Sequence, residues 1–354
     1  MPGMSSLSRS QQITLLVAAL ATAGAAACHY AGAPSVLAFV VAGAALAALA
    51  SIVSFATEHV GAKFGPAVTG VLQSTLGNLP ELFIVIFALK AGQTVVAQTS
   101  IIGSLFANAL LVLGAVIVVG ANTARDGVMR FNKRLPNDTA TLLLVTVFII
   151  VVVGLSIASS DHASHHIKGL SVIAAICLLF VYATWVIPYA RSEHGDGDPH
   201  PPRVPLPVSL TMLGVAGVAS AFVSDWFIHA LEPSIEKLGV SQAFAGLVIV
   251  AIAGNAVENT TGLVLARKGQ SDLSVSVVKN SVAQIAAFLF PALVLISLLS
   301  SHTLTFALDP VYIGALLVTA LSVWQITGDG EAVAFEGWAL VAIYVILAAL
   351  TLYE

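Results

Sequence analysis

The sequence predicts an all-α integral membrane protein of about eleven transmembrane helices: helix 1, then two inverted five-helix repeats. Three observations carry that expectation. Hydrophobic residues make up 58% of the 354-residue chain and charged residues 9%, where a soluble domain holds roughly 25% charged residues. Mean hydropathy is +0.97, so the bilayer is the main solvent. Apolar runs of spanning length recur throughout, and two closely similar polar motifs sit in corresponding runs of the two halves.

A spanning helix needs roughly 20 mainly apolar residues. Such runs lie near 12–30, 35–57, 67–89, 94–119, 139–158, 168–190, 207–230, 241–265, 274–299, 310–326 and 336–353. A segment in hydrocarbon must satisfy its own backbone, as a helix or a closed barrel. The ten-residue alternation of a barrel strand does not occur, which leaves helices. The first run follows Arg9 and ends at Ala27-Cys28. It has two readings, a signal peptide or a retained helix. The apolar segment that follows at once makes the retained helix simpler.

Ser192–Arg203 is the most hydrophilic stretch, rich in Pro, Gly and Asp, and reads as a linker near the chain's centre. It divides the chain into 1–34 (tail and helix 1), 35–190 (first repeat), 191–206 (polar loop) and 207–354 (second repeat). Five spans per half is an odd number, so the halves enter the membrane in opposite orientations, the layout of inverted-repeat transporters. Loop charges set the direction. A cytoplasmic N-terminus puts Arg9, Lys63, Arg125, Arg130, Lys133, Arg134, Arg191, Arg203, Arg267 and Lys268 inside, and only Lys90, Lys168 and Lys237 outside. The expectation is a multi-pass protein of a prokaryotic cell membrane with its C-terminus outside.

The halves share sequence. LGNLPE at 76–81 matches AGNAVE at 253–258, with the same spacing from Asn78 to Asn255 as from Glu81 to Glu258. Gly92 and Gly269 follow at equal distances. A second polar cluster comes next: Gly103, Ser104 and Asn108 in the first half, Asn280, Ser281 and Gln284 in the second.

Asn and Glu three residues apart share one helix face. Gly77 and Pro80 loosen the first helix and Gly254 the second, and freed carbonyls at membrane depth are tolerated only against a cavity or protein. Two carboxylates with amides, hydroxyls and carbonyls form an oxygen-rich set. That set suits Ca²⁺, which takes six to eight oxygen ligands, better than a soft metal. Ionised carboxylates hold the cation and protonated ones release it, so cation and proton occupancy exclude one another.

The bland readings stand beside these. One intramembrane Glu is also a plausible structural partner, a reading that the repeated motif weakens. Ser104 and Ser281 also fit as small residues for close helix packing. Asn108 and Gln284 each need partners in hydrocarbon. Asp161, His162, His165 and His166 have metal-ligand chemistry, but loop histidines are more often solvated. His194, Asp196, Asp198 and His200 read as an acidic linker ahead of a Ca²⁺ or pH sensor. Asp225 and His229 share a helix face at the membrane surface, and Glu331 and Glu336 read as loop charges.

ATEH at 56–59, Gly65-Pro66, Gly70, GNLPELF and QTSIIGSLFANALLVLG resemble the first half of the calcium/proton exchangers (CAX) in the cation/calcium exchanger superfamily. GNAVENTTGLVLARKGQSDLSVSVVKNSVAQIAAFLFP resembles their second half, and Asp329-Gly330-Glu331 with FEGWALVAIYVILA their last loop and helix. The resemblance covers most of the chain from about residue 50. It implies a helix outside two inverted five-helix repeats, with Glu81 and Glu258 as the cation-binding (metal) residues. It also implies that Asn78, Asn255, Ser104, Asn108, Ser281 and Gln284 are neighbouring polar ligands or proton-route residues, and that Glu58 lies in a gating segment near the cytoplasmic side.

Val282 departs from the family pattern, where a second Ser is usual, and Asn259 stands where His is frequent. Lys279 departs most, being a Lys within a span. It has two readings: pairing with Glu81 or Glu258, which weakens divalent binding, or snorkelling to the cytoplasmic side. The polar run Gln270–Ser276 reads as loop and favours snorkelling.

The expected activity is exchange of Ca²⁺, or a similar divalent cation such as Mn²⁺, for protons by alternating access. The second reading is a sodium-coupled or monovalent (Na⁺ or K⁺) exchanger on the same scaffold. No cofactor and no nucleic-acid partner are expected, since no basic stripe occurs. Cys28 and Cys177 have neither metal-site nor disulfide-framework spacing. An intramembrane enzyme would need a nucleophile with its base or a metal triad, and the spans carry neither. The oligomeric state is not legible.

Overall fold

The computed structural model describes residues 9–64, 76–132, 134–192 and 204–354. Helices dominate: α1 (Arg9–Tyr30), α2 (Ser35–Phe64), α3 (Leu79–Lys90), α4 (Thr94–Thr123), α5 (Arg134–Ala158), α6 (Ile167–Ser192) and α7 (Leu206–Leu238). They continue with α8 (Gln242–Gly254), α9 (Ala256–Arg267), α10 (Ser271–Ser297), α11 (Pro310–Thr327) and α12 (Ala334–Leu352). Among the described residues nine helices are long and apolar enough to cross a membrane, or ten when α8 and α9 count as one bent span. These match ten of the expected runs. The other, 67–89, lies partly outside the described residues, as does most of the 191–206 loop with His194, Asp196, Asp198 and His200. Two three-residue strands, β1 (Val128–Arg130) and β2 (Glu331–Val333), were not foreseen.

The chain forms two compact units, each drawing on both halves of the sequence. Unit 1 comprises residues up to Ala91 and Ala183–Val240; unit 2 comprises Gly92–Tyr182 and Ser241–Glu354.

In unit 1, α2 packs along α7. Phe39 stacks on Phe227 with ring centroids 4.7 Å apart, and Gly43 leaves room for the Phe227 ring. Ser224 of α7 donates to the Pro80 carbonyl at the start of α3 across 3.5 Å. Where α1 ends, His29 stacks on Trp226 and meets His229 edge-on. His229 lies 3.8 Å from Asp225, and both side chains are exposed.

In unit 2, α4 is buried almost throughout. Lipid tails are as apolar as Leu, so no hydrophobic force presses such helices together, and close backbone approach through small residues takes its place. Gly103 of α4 lies on the Leu247 backbone of α8, and Gly246 of α8 lies on Thr99 and Val96 of α4. Gly114 and Gly337 make the same kind of contact between α4 and α12. Three π-helical segments, Ala107–Val112, Ala245–Val250 and Ile285–Leu289, lie in α4, α8 and α10. A π-turn displaces the side chains beyond it from simple helical register, and such turns are frequent at functional sites.

The strands pair antiparallel, with Val128 opposite Val333 and Arg130 opposite Glu331. Arg130 binds Asp126 at 2.6 Å and Glu331 at 3.3 Å, all three exposed. Its hydrogen bond holds the Asp126 carboxyl below the usual carboxylate range. Both residues expected as loop charges stand in regular structure instead: Glu331 opens β2 and remains exposed, and Glu336 belongs to a helix. Glu336 lies in the first turn of α12 and accepts a hydrogen bond from the Val333 amide at 2.9 Å, satisfying a donor at the helix start.

Candidate functional site

The two Asn-x-x-Glu motifs adopt the same local structure. Asn78 stands at the N-cap position of α3 with φ −95° and ψ 18°, and Asn255 at that of α9 with φ −103° and ψ 19°. Neither angle pair is helical, so a helix begins at each Asn and its Glu falls in the first turn. Beyond the Asn, α-helical bonding resumes, from the Leu82 amide to the Asn78 carbonyl and from the Asn259 amide to the Asn255 carbonyl. Pro80 suits the first turn of α3, where its missing N–H leaves no bond unmade. Each helix also ends alike, on Gly92 with φ 77° and Gly269 with φ 72°. An L side chain is strained at such angles, so glycine is the residue that stops both helices cleanly. The matched glycines of the sequence are therefore matched helix stops.

Glu81 and Asn78 belong to unit 1 and are buried, at 3% and 6% exposure. Glu258 and Asn255 belong to unit 2, where Asn255 is buried and Glu258 partly so. The axis turns by 59° between α8 and α9 at Asn255. The Asn255 side chain spans that break by donating to the Ala251 carbonyl at 2.8 Å.

Three predicted residues of unit 2 come together in one network. Asn108, in the π segment of α4, donates to the Asn255 side-chain oxygen at 2.7 Å and to the Ser104 carbonyl at 3.0 Å. Asn255 donates in turn to Ser104 Oγ at 2.8 Å. Interhelical hydrogen bonds in bilayers average only about 0.6 kcal/mol. The network therefore fixes orientation more than it adds stability. It occupies the amide N–H groups and leaves oxygens over: Asn108 Oδ1 is buried without a hydrogen-bond partner.

Further oxygens of unit 2 are in the same condition. Ser281 Oγ, Asn280 Oδ1 and Asn259 Oδ1 are buried and make no hydrogen bond. Leaving such groups unpaired costs about 1–3 kcal/mol each, a cost that a bound ligand relieves by supplying the missing interaction. These atoms are acceptors suited to a hard cation. Among the described residues no three His, Cys, Asp or Glu side chains gather into a metal-binding group, so the donors are amide, hydroxyl and carboxylate oxygens. Gln284 is partly buried where α10 passes into its π segment. Asn259 and Asn280 are additions to the expected set, and their signal was a polar side chain beside each motif. Glu58 is exposed on α2.

Lys279 does not snorkel, which corrects the sequence expectation. The run taken as loop is helical from Ser271, so Lys279 stands well inside α10. It is 1% exposed. Its Nζ donates to Thr327 Oγ1, at the end of α11, across 3.5 Å. No ion pair joins it to Glu258 or to any other described carboxylate of its unit.

A family model described as "sodium/calcium exchanger protein" matches residues 34–188 and 208–353. The chain is 31% identical over 346 residues to a Ca²⁺/H⁺ antiporter of Synechocystis sp., covering 91% of this chain and 92% of the relative. It is also 31% identical over 326 residues to the Ca²⁺/H⁺ antiporter ChaA of Bacillus subtilis, covering 89% and 92%. The solved structure of native YfkE superposes with a TM-score of 0.82 at 28% identity, over 96% of this chain and 100% of that one.

Proposed function

The chain belongs to the sodium/calcium exchanger protein family, and from that premise we propose that it is a secondary antiporter exchanging Ca²⁺ for protons by alternating access. The observation that carries this reading is the pair of like helix starts at Asn78 and Asn255, each with a Glu in its first turn. The unpaired buried oxygens of Asn108, Ser281, Asn259 and Asn280 support a hard cation as the cargo.

Glu81 and Glu258 serve as the exchanged ligands. Ionised, they hold Ca²⁺; protonated, they release it and carry protons the other way. Since one carboxylate cannot do both at once, the two fluxes are coupled. Asn78, Asn255, Ser104, Asn108, Ser281 and Gln284 complete the ligand and proton-route set, and Glu58 modulates entry from the cytoplasmic side. The two inverted repeats, 35–190 and 207–354, supply one Glu helix each. The loop charges support a cytoplasmic N-terminus and an outside C-terminus.

Transport of monovalent cations is the second reading, favoured by the buried amine of Lys279. Reconstituted proteoliposomes with an imposed pH gradient decide between the two, with Ca²⁺, Mn²⁺, Na⁺ and K⁺ offered separately. Ca²⁺ flux that requires the proton gradient, and pumps protons in return, supports the first reading. Flux of Na⁺ or K⁺ with none of Ca²⁺ or Mn²⁺ replaces it with the second.

A further inference from the structure

Away from the Glu motifs, unit 2 has a second polar feature, where α11 ends beside the start of α5. The two helices run antiparallel: Gly154 of α5 meets Ile313 near one end, and Asn137 meets Gly328 at the other. Gly328 follows α11 with φ −73° and ψ −28°, a right-handed conformation. The end of α11 thus lacks the left-handed glycine stop of α3 and α9, which covers the last carbonyls of a helix. Oxygens converge there instead. Around the position that a Cβ of Gly328 would take stand the Trp324 carbonyl at 2.8 Å, the Gln325 carbonyl at 3.9 Å and Asn137 Oδ1 at 3.9 Å.

A cleft of about 600 Å³ opens at this point, lined by Asn137, Leu321, Trp324, Gln325, Gly328 and Asp329. Asp329 is exposed, with one carboxylate oxygen on the Glu331 amide, and forms no ion pair among the described residues. It adds a full negative charge to the negative end of the α11 dipole, where a cation is favoured. Arg134 stands three residues before Asn137, on the same face of α5. It too is exposed and without an ion pair among the described residues. The cleft therefore has a negative group on one helix and a positive group on the other. Its apolar side continues along α11, where Leu317, Leu321 and Trp324 are exposed at helical spacing. Pro310–Thr327 is long and apolar enough to cross a membrane, so the cleft sits where that span meets the headgroup layer, a depth at which Trp is enriched.

We propose that this cleft binds a phospholipid whose headgroup carries a primary ammonium beside its phosphate, the chemistry of phosphatidylethanolamine. The ammonium has three N–H donors. They go to the Trp324 and Gln325 carbonyls, Asn137 Oδ1 and the Asp329 carboxylate. The phosphate meets the Arg134 guanidinium, a charge-assisted pair, and an acyl chain lies along Leu317, Leu321 and Trp324. Phosphatidylcholine has a quaternary ammonium with no N–H to give to these oxygens. Phosphatidylglycerol brings a negative charge to Asp329 with no ammonium to offset it. The site stands apart from the exchange reading, since nothing in it depends on which ion is carried.

Native mass spectrometry of the purified full chain tests the assignment, with micelles doped in turn with phosphatidylethanolamine, phosphatidylcholine and phosphatidylglycerol of the same acyl chains. The expected result is retention of phosphatidylethanolamine with an affinity at least about fivefold above the other two. Asp329→Asn keeps an acceptor for the Glu331 amide and removes the charge, and should bring phosphatidylethanolamine down to the level of phosphatidylcholine. Arg134→Gln should weaken phosphatidylethanolamine by a similar factor, whereas Asp161→Asn, an exposed loop acid elsewhere, should leave the preference intact. Equal retention of the three lipids, a preference for phosphatidylglycerol, or a preference that survives Asp329→Asn overturns the proposal. Free O-phosphoethanolamine that displaces the lipid at equal concentration overturns the lipid as occupant. The comparison of three lipids on the wild type needs no variant, so it decides the matter even where a variant does not fold.

Discussion

Asn108 and Asn255 meet side chain to side chain across 2.7 Å, the amide of one on the oxygen of the other, although 147 residues separate them. Both are fully buried, and Ser104 closes the network from the helix of Asn108. The π segment of α4 and the break before α9 are thus held in one orientation by polar groups that lipid cannot replace.

Asn108→Ala leaves the Asn255 oxygen without its donor. The expected cost is about 1–3 kcal/mol, read as a lower melting temperature in detergent, together with loss of most Ca²⁺ flux. Asn255→Ala should cost a similar amount, and the double variant less than the sum, with a coupling of about 0.5–3 kcal/mol. Strict additivity would show that the two side chains do not depend on one another.

Gly103 sits where a Cβ would run into the Leu247 backbone. Backbone cannot rotate away as a side-chain tip does, so Gly103→Ala should destabilise by about 1–3 kcal/mol or more. Gly314→Ala is the control. Nothing lies within 4 Å of its Cβ position in α11, and the helix should gain up to about 1 kcal/mol. Melting curves of the two variants should move in opposite directions.

Glu81→Gln and Glu258→Gln keep shape and hydrogen-bonding capacity but remove the charge that cation and proton exchange. Each should retain its fold, measured by a monodisperse gel-filtration peak, and lose Ca²⁺ affinity by about 100-fold or more, since ligand charge count sets affinity in oxygen sites. Wild-type flux in either variant would remove that carboxylate from the cycle.

The Asp126–Arg130 pair predicts a pH dependence confined to the end of unit 2. Asp126 has its pKa lowered from 3.8 by the Arg130 hydrogen bond. A carboxylate with a depressed folded pKa stabilises above its unfolded value and loses that contribution as pH falls through the folded one. Both groups are exposed, so the effect is small and local. Amide exchange at Val128, whose N–H also binds Asp126, should be faster in Asp126→Asn than in the wild type near neutral pH. The difference should vanish as pH falls through the lowered folded pKa of Asp126.

Some of this was legible in the chain because its causes act locally. The need to satisfy backbone groups inside hydrocarbon makes a helix of any long apolar run, and ten expected runs returned as helices or a bent pair with boundaries shifted by a few residues. Gly254 announced a weakened helix, and the observed bend follows it directly. The paired Asn-x-x-Glu motifs told of two like structures because a short motif carries its own cap, first turn and stop.

Lys279 shows where that legibility ends. The run Gln270–Ser276 looks like loop by composition, and it is helix because α10 packs on α9 along its first turns. Its partner Thr327 lies 48 residues away and carries no motif. The unpaired oxygens of Asn259 and Asn280 follow from which helix faces which, as does the β1–β2 pair. The sequence by itself determined the membrane class, the spans and the chemistry of the donor atoms, since desolvation and helix capping depend on a residue and its near neighbours. Only the tertiary structure decided which polar side chains meet, which oxygens stay free and where a buried amine points, because those depend on contacts between segments far apart in the chain, where close approach of small residues sets the geometry.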